Sequence, residues 1–273
     1  MLLQRTLTAL LLAPLAILVI LLPPTWLFAL IAGVAFLGAQ WEWTCLSGLK
    51  APAARVALLA LAVLLFALLW WARGLAVWSL MLAVGVAWWV LACVWLRHFA
   101  FGAAPTAENR NLKLLAGAFV TIPAWVALLC VHDDAKPHGH WWTLLALVVV
   151  WAADIGAYFS GRFLGKRKLA PQISPGKTWA GVYGAFAAGA LVMGVGGWLL
   201  DVRGAQLAGL MLLAVVTVAA SIVGDLIESL MKRHAKVKDS GTLFPGHGGL
   251  LDRLDSVFAA LPVFALGKLL LGL

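Results

Sequence analysis

Apolar runs of about 16 to 25 residues recur from one end of this 273-residue chain to the other. Coiled into an α-helix, a run of that length matches the hydrocarbon core of a bilayer. Lipid offers a backbone no hydrogen bonds, so each run is expected to be a helix that satisfies itself internally. Composition points the same way. The chain is 64% hydrophobic and 11% charged, against roughly 45–50% and about 25% in a soluble domain. The sequence therefore predicts an all-α, polytopic integral membrane protein.

Nine spans are expected, at 7–22, 25–45, 56–71, 75–96, 114–131, 141–163, 178–200, 207–230 and 254–271. The first follows Arg5, as a signal peptide would, but no small-x-small cleavage site comes after it, so it reads as a retained span. With this count, Lys and Arg fall unevenly on the two sides. One side holds Arg5, Lys50, Arg55, Arg97, Arg110, Lys113, Arg162, Lys166, Arg167, Lys168, Lys177, Lys232, Arg233, Lys236, Lys238 and Arg253, sixteen in all; the other holds Arg73, Lys136, Arg203 and Lys268. The positive-inside rule then makes the N-terminus cytoplasmic and the location the inner (cytoplasmic) membrane. The net charge of +9 follows topology and gives no reason to expect a nucleic-acid partner. Trp26, Trp41, Trp43, Trp71, Trp78, Trp141, Trp142 and Trp198 lie near span ends, where amphipathic rings prefer to sit. Cys45, Cys93 and Cys130 are scattered and read as packing residues.

No separate soluble domain is expected. Polar groups are sparse in residues 1–140, a transmembrane scaffold region, and concentrated in 141–273, a transmembrane catalytic region. The longest non-apolar segments are 163–177 and 231–253, both on the basic side.

Two constellations carry chemistry. In the first, Asp154 sits inside an apolar span, where an ionised carboxylate costs about 2.5–3.5 kcal/mol even on the mildest scale and so calls for a partner or a task. Gly161, Gly165 and Gly176 follow, interleaved with Arg162, Lys166, Arg167 and Lys168, and then Ser174 and Lys177. Glycines allow close backbone approach and basic groups neutralise phosphate. Taken alone, this segment is equally a solvated basic loop.

In the second, Asp225 and Glu228 close one span, and Asp252 and Asp255 open the next, each pair three residues apart on a helix face. Capping explains acids at a helix start but not at a helix end. Lys232, Arg233, Lys238 and Arg253 lie close by. Hard oxygen ligands suit Mg²⁺, and Lys and Arg suit phosphate, which together make a kit for phosphoryl or nucleotidyl transfer. His247 could bind phosphate, donate a proton or brace the loop. On the opposite side, His132, Asp133, Asp134, His138 and His140 read as a polar loop.

The run Ser229-Leu-Met-Lys232-Arg233, Lys238-Asp239-Ser-Gly241, Pro245-Gly-His247-Gly-Gly249 and Asp252-Arg253-Leu-Asp255 resembles the signature of the phosphatidate cytidylyltransferases, or CDP-diacylglycerol synthases. Asp154–Lys177 resembles that family as well, and the first half of the chain matches it only as generic spans. The resemblance implies that CTP and phosphatidic acid give CDP-diacylglycerol and pyrophosphate with Mg²⁺. It implies that Asp225 and Asp252 serve the metal, and we add Asp255 and Glu228 as support. Lys232, Arg233, Lys238 and Arg253 would neutralise phosphates, with Asp239 and His247 grouped with them as catalytic. Gly246, Gly248 and Gly249 would bring backbone N–H groups to the triphosphate, and Asp154, Ser174 and Lys177 would complete the substrate pocket. One departure stands out: many members carry Glu, some Gln, where this chain has Ala180. A second cation and a homodimer are left open. The rival readings are another CTP-using lipid enzyme, such as a polyprenol kinase, and an ion-coupled transporter that uses Asp154 and Asp225.

Overall fold

The computed structural model describes residues 13–133, 135–136, 138–243 and 248–273. Residues 13–21 are helical, and eight further helices follow: α1 Thr25–Leu46, α2 Pro52–Trp71, α3 Ala76–Leu96, α4 Ala107–His132, α5 Gly139–Leu164, α6 Trp179–Leu199, α7 Gly204–Ala235 and α8 Leu251–Leu270. Among the described residues, α1 to α7 are each long and apolar enough to cross a membrane. α8 is equally long but carries Asp252, Arg253, Asp255 and Lys268. The protein is thus all-α and multi-pass. The expected first span reaches into residues 1–12, outside those described.

The charges of α8 are tolerable because of where it sits. It packs against α7, α4, α3, α5 and α1, and an unbroken run from Ser256 to Pro262 is buried. α4 shares this interior, whereas α2 buries only Ala62, Phe66 and Leu69 and otherwise faces outward. Several polar groups inside the bundle find partners there, as a medium without water favours. Thr121 donates to Gln40 at 3.0 Å, and the Trp125 indole donates to the Ala29 carbonyl at 3.2 Å.

Three sequence expectations need correction. The segment after α5 contains a small antiparallel hairpin, β1 Lys168–Ala170 with β2 Ser174–Thr178, paired Lys168 to Thr178 and Ala170 to Ser174. It was expected as plain loop, because Pro175 and Gly176 mask a strand pattern. α7 continues to Ala235, five residues past the expected end of its span, so Lys232 and Arg233 are helical. At 32 residues it is about 48 Å long and outreaches a hydrocarbon core of about 30 Å. Finally, Trp43, Trp78 and Trp142 are buried. The first two donate to the carbonyls of Lys113 and Leu69, both at 2.7 Å, in place of a headgroup role. The three cysteines are unpaired.

α7 lies directly on α8 at Gly224, where a Cβ would strike the Asp255 carbonyl and come within 2.9 Å of the Ala259 methyl. Overpacking at such a contact costs about 1–3 kcal/mol. Gly224→Val is therefore expected to lower the melting temperature of the purified protein in detergent; an unchanged melting temperature would contradict this packing.

Candidate active site

The two carboxylate pairs meet because α7 ends beside the start of α8. One oxygen from each of Asp225, Glu228 and Asp255 lies within 4.8 Å of the others. The Glu228 side chain is only 1% exposed, with Lys232 Nζ 2.5 Å from its Oε2. That approach is poorly aligned for a hydrogen bond, and neither Glu228 oxygen has an aligned donor. Lys232 offsets part of this charge and is shared with Asp252, so the carboxylate oxygens keep capacity for a further cation. The donor set is three hard oxygens, the type that holds a hard divalent cation. These residues can therefore chelate such an ion.

Asp252 is arranged differently from the other three acids. Its Oδ1 accepts from Lys232 Nζ at 2.6 Å. Its Oδ2 accepts from Ser240 N and Ser240 Oγ, both at 2.9 Å, and from Gly249 N at 2.7 Å. Lys232 thus stands between Glu228 and Asp252 and neutralises both. Lys177, delivered by β2, forms a second ion pair with Asp225 at 2.6 Å, and Ser229 Oγ lies 3.4 Å from the other oxygen of Asp225. Arg233 Nε donates to the Ile173 carbonyl at 3.0 Å and so fastens the hairpin turn to α7.

A cavity of about 380 Å³ opens over these groups, lined by Asp154, Ser174, Asp225, Ser229, Lys232, Arg233, Lys238, Asp239, Asp252, Arg253, Asp255 and Ser256. A second, of about 470 Å³, lies between α5, α6 and α7 and is walled mainly by apolar residues such as Ala157, Val182, Ala185 and Ile222. Asp154 and Asp225 line both, and Lys177 lines the second.

The structure therefore brings together every expected site residue that it describes; Gly246 and His247 lie outside the described residues. Both remaining glycines lie against Asp252. The N–H of Gly249 donates to its Oδ2 at 2.7 Å. Gly248 has φ +81, a backbone that L side chains rarely adopt, and a Cβ there would meet the Asp252 carboxylate. Ala180 falls in the first turn of α6, two residues after Thr178, whose hydroxyl caps that helix through the Gly181 N–H at 3.2 Å.

Sequence reasoning missed Glu42. This α1 residue reaches across the bundle to the start of α8. It accepts from Leu250 N at 3.0 Å, Leu251 N at 2.8 Å and Ser240 Oγ at 2.7 Å. It satisfies N–H groups that a helix start leaves open, and its negative charge suits that end of the helix dipole. The signal was available: Glu42 is the single charged residue in an otherwise uncharged span. On the opposite side, His132 is stacked between Phe28 and His140, with Nδ1 3.2 Å from Thr25 Oγ1 and Nε2 2.9 Å from the Ile20 carbonyl, a packing arrangement.

Residues 3–270 match the model of the cytidylyltransferase family. A phosphatidate cytidylyltransferase of Pseudomonas aeruginosa is 45% identical over 265 residues, 97% of this chain and 96% of that protein. The Haemophilus influenzae phosphatidate cytidylyltransferase is 40% identical over 287 residues, 97% and 98% of the two chains. That of Bacillus subtilis is 40% identical over 152 residues, 53% and 55%. With the family match and the first two relatives spanning almost its whole length, the chain belongs to the cytidylyltransferase family, among the phosphatidate cytidylyltransferases.

Proposed function

We propose that this protein transfers the cytidylyl group of CTP to phosphatidic acid, giving CDP-diacylglycerol and pyrophosphate for phospholipid synthesis. The observation that carries the reading is the wall formed by Asp154 and Asp225, shared by a polar cavity and a mostly apolar one. CTP would take the polar cavity and the lipid the apolar one. The family and its full-length relatives support the same chemistry.

The reaction needs positioning more than proton transfer. A phosphatidate oxygen attacks the α-phosphorus of CTP; the new O–P bond forms as the bond to the β-phosphate oxygen breaks, and pyrophosphate leaves with the electron pair. Asp225, Glu228 and Asp255 would hold Mg²⁺, which supplies charge neutralisation to the phosphates. Lys177, Lys232, Arg233, Lys238 and Arg253 share the remaining phosphate charge. In this reading Asp252 chiefly anchors Lys232, Ser240 and Gly249 as parts of one loop, so its carboxylate reaches a metal only if Lys232 swings to a phosphate. Glu42 positions that loop and α8 from the other half of the chain. We keep the division into a 1–140 scaffold and a 141–273 working region as part of this proposal, with Glu42 added to the working groups. We place the site at the cytoplasmic face of the inner membrane, because sixteen of the twenty Lys and Arg residues fall on its side of the predicted topology.

Purified protein with labelled CTP and phosphatidic acid should form a CDP-lipid, lose that activity in EDTA and regain it with Mg²⁺. Asp225→Asn and Glu228→Gln should each cut turnover at least ~10²-fold while the melting temperature stays near that of the parent. Near-normal turnover in both would sink the metal assignment, and no CDP-lipid from the parent protein would sink the function.

Glu42→Ala removes acceptors from two helix-start N–H groups and from Ser240. Turnover should fall about 10–100-fold, as when an outer partner of a metal site is lost, with a stability loss of about 0.5–2 kcal/mol. Glu42→Gln keeps one carbonyl acceptor and should fall between the two. Steady-state kinetics across a Mg²⁺ titration, beside melting curves, checks both variants; wild-type turnover in Glu42→Ala would remove Glu42 from the site.

A further inference from the structure

At the membrane face opposite the carboxylates, a cavity of about 360 Å³ gathers residues from the ends of four helices. Arg73 follows α2, Trp78 starts α3, Lys136 follows α4, and Lys268 lies in the last turn of α8. Along α8, Lys268 is sixteen residues from Asp252, about 24 Å away. The predicted topology puts only four Lys or Arg residues on this face, and three of them line this one cavity. The fourth, Arg203, has an ion pair with Asp201 at 3.3 Å.

The three cavity cations are held by neutral groups. The Arg73 guanidinium stands over the Trp70 ring at 4.5 Å, and Lys268 Nζ over the Trp142 ring at 4.9 Å. Lys136 Nζ donates to the Cys130 carbonyl at 3.4 Å. Among the described residues none of the three has an ion-pair partner, although Asp133 also lines the cavity. Lys268 is the most telling, since it is only 6% exposed and meets no acid. Burying an ammonium that forms no ion pair is costly unless an anion joins it. The rim beside these cations is hydrocarbon: Leu75 and Leu269 line the same cavity and are 60% and 51% exposed.

We infer that this cavity binds the phosphate headgroup of an anionic phospholipid from the leaflet on that face. Arg73, Lys136 and Lys268 hold the phosphate, and the acyl chains run along Leu75 and Leu269. Basic pockets between transmembrane helices bind anionic headgroups on the cytoplasmic or matrix side of other membrane proteins; here the same chemistry stands at the opposite face. This site is separate from the catalytic one and does not rest on the proposed reaction.

The test uses the full-length protein in neutral detergent, titrated with phosphatidylglycerol, phosphatidylcholine or inorganic phosphate and followed by native mass spectrometry. Phosphatidylglycerol should bind in preference to phosphatidylcholine, and the double variant Arg73→Gln/Lys268→Met should weaken it about 30-fold. Arg73→Gln alone, at an exposed position that leaves the bundle packed, should weaken it about fivefold. In phosphatidylcholine bilayers the variants should turn over substrate as the parent does, which separates loss of this site from loss of catalysis. Equal affinity for the two lipids, or unchanged affinity in Arg73→Gln, would overturn the site. Inorganic phosphate competing as effectively as the lipid would overturn the lipid assignment.

Discussion

Two carboxylates close around the start of α8, and the candidate site depends on them. Glu42 receives the N–H groups of Leu250 and Leu251, and Asp252 receives those of Ser240 and Gly249. Together they hold Ser240 and residues 249–251 against the start of that helix. This fixes where α8 begins, and so where Asp255 stands relative to Asp225 and Glu228 on α7. Without that restraint the acids would be two helical pairs with no common centre. The glycines follow from the same constraint: a Cβ at Gly249 or Gly241 would collide with the Glu42 carboxylate.

The helical architecture was legible because a bilayer leaves the backbone few choices. Run length and the absence of charge set α1 to α7 within seven residues at every end, α4 starting earliest relative to expectation, at Ala107. What failed is equally physical. The end of α7 was drawn where hydropathy falls, at Leu230, yet the helix persists to Ala235. Leaving the apolar core does not remove the helical hydrogen bonds, and Glu228 and Lys232 support each other one turn apart. The hairpin at 168–178 was invisible because Pro175 and Gly176, inside its second strand, break the pattern by which a strand is recognised. Buried tryptophans were misread as belt residues because proximity to a span end says nothing about which way a ring faces.

Within the site, residue types announced the chemistry but not the division of labour. Four acids and several cations at one membrane face pointed to phosphate and a divalent ion. Which acids share a centre is a matter of helix phase between two non-adjacent elements, and the spacing of three within each pair does not supply it. The pairings Lys177–Asp225 and Lys232–Asp252 likewise join residues 48 and 20 positions apart. Glu42 was overlooked because attention followed the polar second half, although the argument applied to Asp154 holds for it unchanged.

Ser240 brings the two closing carboxylates into a shared account of hydrogens. Its hydroxyl lies 2.7 Å from Glu42 Oε2 and 2.9 Å from Asp252 Oδ2, but it carries a single hydrogen. Each moment of donation to one acid leaves the other to its remaining partners, backbone N–H groups for both and Lys232 besides for Asp252. A change of charge at Asp252 is thereby felt at Glu42, on a helix some two hundred residues away in sequence. The seam between the two halves of the chain is a proton with two claimants, and through it the first helix of the bundle is kept informed of the state of the last.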